Sequence, residues 1–75
     1  MNIREKFSQQ LIFQRKNAKF SQEKLANLAN VHRTYISQIE RNLKSPTLEV
    51  VFSICRALSI RPSDFVKEIE NGLSR

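Results

Sequence analysis

Among its 75 residues the chain has a single glycine, Gly72. A Gly-rich phosphate loop is therefore excluded, and nearly every sharp turn must be made by a residue that carries a Cβ. Cysteine, histidine and aspartate also occur once each, as Cys55, His32 and Asp64. One cysteine cannot close an internal disulfide and fits a reducing cytoplasm. Cys55 lies on an apolar helical stripe and reads as a small buried hydrophobe. Acid, base, nucleophile and metal-ligand types are too scattered to converge, so no enzyme activity, cofactor or metal is expected. The longest apolar runs are three residues, Leu11 to Phe13 and Val50 to Phe52. That is too short to cross a membrane, and no charged and apolar N-terminal cassette marks a signal peptide. A cytoplasmic protein without membrane attachment is expected.

Positive charge, by contrast, is abundant. Thirteen Lys and Arg face seven Asp and Glu, giving a net charge of +6 and a pI near 10.1. Residues 15 to 44 hold seven basic side chains against Glu23 and Glu40, a net +5, whereas residues 45 to 75 hold four of each sign. Charge gathered on two fifths of a small domain suits a polyanion, because each neutralised phosphate releases condensed counterions.

Apolar residues recur at helical spacing throughout, and no stretch alternates with period two for long enough to make a strand. The expected fold is all-α, one compact five-helix domain over residues 1–75. The first helix is expected from Ile3 to Ala18, with Phe7 and Leu11 inward and Gln14 where a third apolar residue would fall. Ile12 and Phe13 have no assigned place. Ser21 caps a second helix, Gln22 to Ala29, whose Leu25, Ala26, Leu28 and Ala29 form an apolar face. His32 precedes a third, Arg33 to about Arg41, with Ile36 and Ile39 inward. Thr47 caps a fourth ending near Leu58, with Leu48, Val51, Ile54, Cys55 and Leu58 inward. Pro62 suits the first turn of a fifth helix and Gly72 its end, followed by a tail over residues 73 to 75 expected to fray. The turns after helices two, three and four fall to Asn30, Asn42 and Ser59 in the left-handed region.

Two short helices over 21 to 42, the second with an outward polar and basic face, form a helix-turn-helix, which lays its second helix in the major groove of DNA. Helical spacing selects Arg33, Thr34, Ser37 and Gln38 as the base-contacting residues. Arg33 can bind guanine O6 and N7 bidentately, Gln38 can pair with adenine, and Thr34 offers a hydroxyl and a methyl to thymine. Arg41, Asn42, Lys44 and Ser45 follow on the DNA backbone. Tyr35 has two readings, a phosphate or base contact and packing against helix two. His32 reads as a cap or a neighbour of phosphate.

The segments SQEKLA at 21 to 26, VHRTYISQIER at 31 to 41 and SPTLEVVFSICRALSIRPSDF at 45 to 65 resemble the Cro and λ-repressor type of helix-turn-helix domain, over about residues 7 to 66. RTYISQIER is also similar to the controller proteins of restriction–modification systems, and the length of the chain leaves no room for the cleavable or effector-binding domain of larger repressors. The resemblance implies a λ-repressor-like fold and a sequence-specific transcriptional regulator of restriction–modification genes, autoregulatory and acting on double-stranded DNA. It implies that Gln22 contacts phosphate and braces the recognition helix, and that Arg15 and Glu40 form a structural ion pair between helices one and three. Glu23 resembles a position through which related activators touch the sigma subunit of RNA polymerase; a plain surface glutamate is the alternative. The chain departs from the pattern at Gln14, usually apolar, and at Lys19, Asn30, Asn42 and Ser59, turn positions often occupied by glycine.

Phe52, Val66, Ile69 and Leu73 remain once the core stripes are filled. They point to a homodimer through the fifth helix and the edge of the fourth, reading an approximate palindrome with recognition helices about 34 Å apart. The competing function is an antitoxin-like or phage-type repressor module acting partly through a protein partner.

Overall fold

The computed structural model describes residues 2–73 and measures 33 × 24 × 22 Å. The fraying expected at Ser74 and Arg75 lies outside the described residues. Five helices follow one another, α1 (Ile3–Asn17), α2 (Gln22–Ala29), α3 (Arg33–Glu40), α4 (Leu48–Ala57) and α5 (Pro62–Leu73), and no strand occurs among the described residues. The starts of α1, α2 and α4 are capped by side chains. Ser21 Oγ accepts from Lys24 N–H at 2.9 Å and Thr47 Oγ1 from Val50 N–H at 3.2 Å. Asn2 Oδ1 accepts from Glu5 N–H at 2.9 Å. These side-chain oxygens satisfy donors that the first helical turn leaves over. The expected ends of α1, α3 and α4 at Ala18, Arg41 and Leu58 are each the capping residue just past the helix.

The core is built from Phe7 and Leu11 of α1, Leu25, Ala26 and Ala29 of α2, Ile36 and Ile39 of α3, Val51, Ile54 and Cys55 of α4, Leu58, and Phe65 and Ile69 of α5. The rings of Phe7 and Phe65 lie 5.1 Å apart at 54°, joining the two ends of the chain in a tilted aromatic pair. Burial pushes the Cys55 thiol up to about 11, so at neutral pH it stays protonated and packs as an apolar group.

Two expected core residues lie outside. Leu28 and Leu48 are exposed: Ala29 turns inward at the end of α2, and Leu48 is the first residue of α4, a full turn before the helix closes over the core at Val51. Gln14 is partly buried and lines a cleft with Ser59, Ile60, Arg61, Asp64 and Phe65, where a polar amide meets solvent instead of core. Phe13 is 61 % exposed and Ile12 partly so, both on the outer side of α1 with Gln9, Lys16 and Asn17. Gly72 lies in the last turn of α5, where an added Cβ would meet the end of the flexible Lys6 side chain.

The turns are made without glycine. Lys19, Asn30, Asn42 and Ser59 have φ between 58° and 61°. Asparagine tolerates this left-handed region; lysine and serine occupy it at a cost. Ser59→Gly is therefore expected to stabilise the domain by about 0.5–1 kcal/mol, a rise of roughly 2–8 °C in Tm for a chain of this size. Thermal unfolding checks this, and a lowered Tm would mean that the Ser59 side chain contributes more than its backbone strain removes.

Candidate nucleic-acid interface

The second and third helices meet through a turn of three residues. Asn30 takes the left-handed conformation, Val31 N–H donates to Ala26 O at 3.0 Å, and the Val31 side chain packs on the core. His32 then starts α3 from an extended conformation but makes no side-chain cap. With Ile36 and Ile39 buried against the core, the opposite side of α3 is forced outward. Arg33 and Thr34 are exposed, and Ser37 and Gln38, each one helical turn further on, are partly buried on the same side. All four expected base readers thus share one face. Tyr35 is partly buried and packed on the core cluster.

Beyond α3, Arg41, Lys44 and Ser45 are exposed, and Asn42 is partly buried in its left-handed turn with Oδ1 lacking a hydrogen-bond partner. Leu43, which the sequence reading did not assign, is also exposed here. Lys16, Lys19, Lys24, Arg33, Arg41 and Lys44 are all exposed, and the one exposed acidic residue among 15–44 is Glu23, in the first turn of α2, where the helix dipole favours it.

Arg15 is excluded from that surface by its partners. Its Nε donates to Glu40 Oε2 at 2.6 Å, its Nη2 to Glu40 Oε1 at 3.0 Å and its Nη1 to the Phe20 carbonyl at 2.8 Å. The two side chains are 12 % and 5 % exposed. The expected structural ion pair between α1 and α3 is therefore present and bidentate. Gln22 braces the recognition helix by donating from Nε2 to Glu40 Oε1 at 3.0 Å. A fourth contact, from Ser8 Oγ to the Glu40 carbonyl at 2.7 Å, escaped the sequence reading. The only signal for it is a small polar residue set in the apolar stripe of α1, one helical heptad before Arg15. Arg15, Ser21, Gln22, Glu23 and Arg33 together line a shallow cleft where the N-terminal ends of α2 and α3 approach each other.

The apolar residues assigned to a dimer divide. Phe52 and Val66 are 48 % and 50 % exposed and Leu73 is exposed as well, but Ile69 is 5 % exposed. This corrects the expectation for Ile69, whose side chain belongs to the core of its own protomer because it lies one turn after Phe65 on the inward stripe of α5. Only its edge reaches a surface groove, shared with Ile3, Val66, Glu70 and Leu73. Among the described residues no group of three or more His, Cys, Asp or Glu is placed to hold a metal ion, and no helix is long and apolar enough to cross a membrane.

A short α2–turn–α3 unit with a polar outward face on α3, exposed cations on the flanking segments and an anchor from α1, defines a helix-turn-helix DNA-binding protein. The helix-turn-helix family model matches residues 11–65, and the chain belongs to that family. It is similar to the control protein C.BamHI of Bacillus amyloliquefaciens, 46 % identical over 46 residues that make up 61 % of this chain and 57 % of that protein. It is 34 % identical to the control protein C.SmaI of Serratia marcescens over 59 residues, 79 % of this chain and 70 % of that one. The fold matches the crystal structure of the wild-type restriction–modification controller protein C.Esp1396I with a TM-score of 0.90 at 28 % identity, covering 100 % of this chain and 99 % of that chain. The chain thus spans a little over half of C.BamHI and nearly all of C.Esp1396I.

Proposed function

We propose that this protein is a transcriptional regulator that binds an approximately palindromic operator as a homodimer and controls the genes of a restriction–modification system, its own promoter included. The observation that carries the reading is the outward face of α3, where Arg33 and Thr34 are exposed and Ser37 and Gln38 partly so, on the side opposite the core-bound Ile36 and Ile39. Similarity to two control proteins and a controller protein supports the choice of regulated genes. In this reading Arg33 takes a guanine edge, Gln38 an adenine edge, and Thr34 and Ser37 supply hydroxyls to neighbouring bases. Gln22, Tyr35, Arg41, Asn42, Lys44 and Ser45 hold the backbone on either side, Gln22 from the N-terminus of α2, where free N–H groups favour an anion.

The second copy is the occupant proposed for the apolar surface of Phe52, Val66 and Leu73, extended by Ile3 in the groove against α5. Two-fold symmetry then sets the recognition helices about one turn of DNA apart. Footprinting on the DNA upstream of the protein's own gene, together with sedimentation of the free protein, tests this. Two protected half-sites one turn apart and a dimeric mass are expected; a single protected site bound by a monomer would overturn the dimeric reading.

Lys44→Ala tests the backbone assignment. It is expected to weaken operator and unrelated DNA alike and to lower the slope of log affinity against log salt by about 0.9 per protomer, since one phosphate contact is lost. An unchanged slope would remove Lys44 from the phosphate-binding set.

A further inference from the structure

α3 is only eight residues long, Arg33–Glu40, so its direction depends on what holds its ends. Its last four carbonyls have no partners within the helix proper. Three are taken by the turn that follows: Ser37 O by Arg41 N–H at 3.0 Å, Gln38 O by Leu43 N–H at 2.8 Å and Ile39 O by Asn42 N–H at 3.0 Å. The fourth, Glu40 O, is met from 32 residues away by Ser8 Oγ at 2.7 Å. Among the described residues Ser8 is the one polar residue in the buried core, 5 % exposed. It stands seven residues before Arg15 on the same side of α1, and Arg15 grips the carboxylate of the same Glu40. α1 therefore holds one residue of the recognition helix twice, by its main chain and by its side chain. The side-chain grip leaves the helix free to slide or tilt by whatever the glutamate rotamer allows; the main-chain grip removes that freedom.

We infer that Ser8 is a positioning residue for base reading: through its hydrogen bond to the Glu40 carbonyl it fixes the axial position and tilt of α3, and so the reach of Arg33 and Thr34 into the groove. The inference rests on the DNA-reading function proposed above. Leverage gives it weight. Arg33 lies seven residues from the anchor, about 10 Å at 1.5 Å per residue. A tilt of about 10° about Glu40 would carry the reading end roughly 2 Å, well beyond the ~0.5 Å tolerance of a preorganised site.

The test compares Ser8→Ala with Ser8→Thr, which keeps the hydroxyl, and with Val51→Ala, which opens the core from α4 without touching Glu40. Operator and unrelated DNA are titrated well below the unfolding range of every variant, and backbone amide spectra of the free proteins are recorded. Ser8→Ala is expected to cut the preference for operator over unrelated DNA about fivefold, the effect of one hydrogen bond, with affinity for unrelated DNA within about twofold of wild type. Its amide resonances at Arg33 and Thr34 are expected to move although they lie a whole helix from the substitution. Ser8→Thr and Val51→Ala are expected to keep the wild-type preference. Equal loss of preference in Ser8→Ala and Val51→Ala would assign the effect to general loosening and overturn the inference, as would unmoved Arg33 and Thr34 resonances. If the wild-type protein shows no operator preference at all, the DNA-reading function itself fails, and the resonances still decide whether Ser8 positions α3.

Discussion

Arg15→Met is expected to destabilise the domain by about 3–5 kcal/mol, the range for removing one partner of a buried ion pair. A domain of 75 residues holds only roughly 4–11 kcal/mol of net stability, so the variant should be largely unfolded near its former midpoint and partly unfolded at room temperature. The size of the effect comes from what is left behind. Glu40 would keep one side-chain donor, Gln22 Nε2, in place of three, in a site where its side chain is 5 % exposed. The Phe20 carbonyl would also lose its Arg15 Nη1 donor. Restoring hydrophobic neutrality with the double variant Arg15→Met, Glu40→Met should recover most of the loss, because the charge that must be desolvated is gone along with its partner. Urea unfolding of the two single and the double variants closes the cycle. A loss below about 1 kcal/mol in Arg15→Met would put this pair with exposed surface ion pairs, which contribute little.

That pair also marks how far the sequence could be read. Helical spacing and capping residues located all five helices to within a residue at most ends, because Ser21, Thr47 and Pro62 act on their own local backbone. Three of the four left-handed turns, at Asn30, Asn42 and Ser59, were legible for the same reason: between helices so closely spaced the chain must reverse, and with one glycine in the chain the reversal falls on whichever residue stands there; Lys19 was marked only by the family resemblance. Arg15 and Glu40, 25 residues apart, came from family resemblance and not from any spacing. What could not be read was orientation in three dimensions. α5 carries two apolar stripes, Phe65 with Ile69 and Val66 with Leu73, and nothing local says which one meets the core; packing against α1, through the Phe7–Phe65 contact, decides for the first. Ser8 was equally hidden, since a hydroxyl in an apolar stripe declares its purpose only when the carbonyl it meets, 32 residues on, is brought beside it.

Arg33→Ala should have the largest effect on DNA binding and nearly none on folding. α3 opens in a way that local rules disfavour. His32 provides no side-chain cap, the first turn holds no acidic residue, and the first helical residue is an arginine set against the positive end of the helix dipole. Departures of this kind concentrate where function overrides local preference. A cationic, uncapped helix start is poorly suited to free protein and well suited to an arriving polyanion, whose phosphates and guanine edges supply the acceptors that the chain itself withholds. Removing the arginine therefore relieves an unfavourable interaction in the free state, and Tm is expected to stay level or rise by a degree or two. In the bound state it deletes one bidentate guanine contact per protomer, each about 1–3 kcal/mol. For a dimer that is a loss of operator affinity of roughly 30-fold to well over a thousandfold, against a minor change on unrelated DNA. Competition titration with upstream and unrelated DNA at fixed salt measures both. Arg33→Lys should behave almost like the alanine variant on the operator, because an ammonium keeps the charge but loses the planar fork. Operator affinity that survives Arg33→Ala, or falls in step with affinity for unrelated DNA, would strip Arg33 of base reading and leave it as one more cation on the rim.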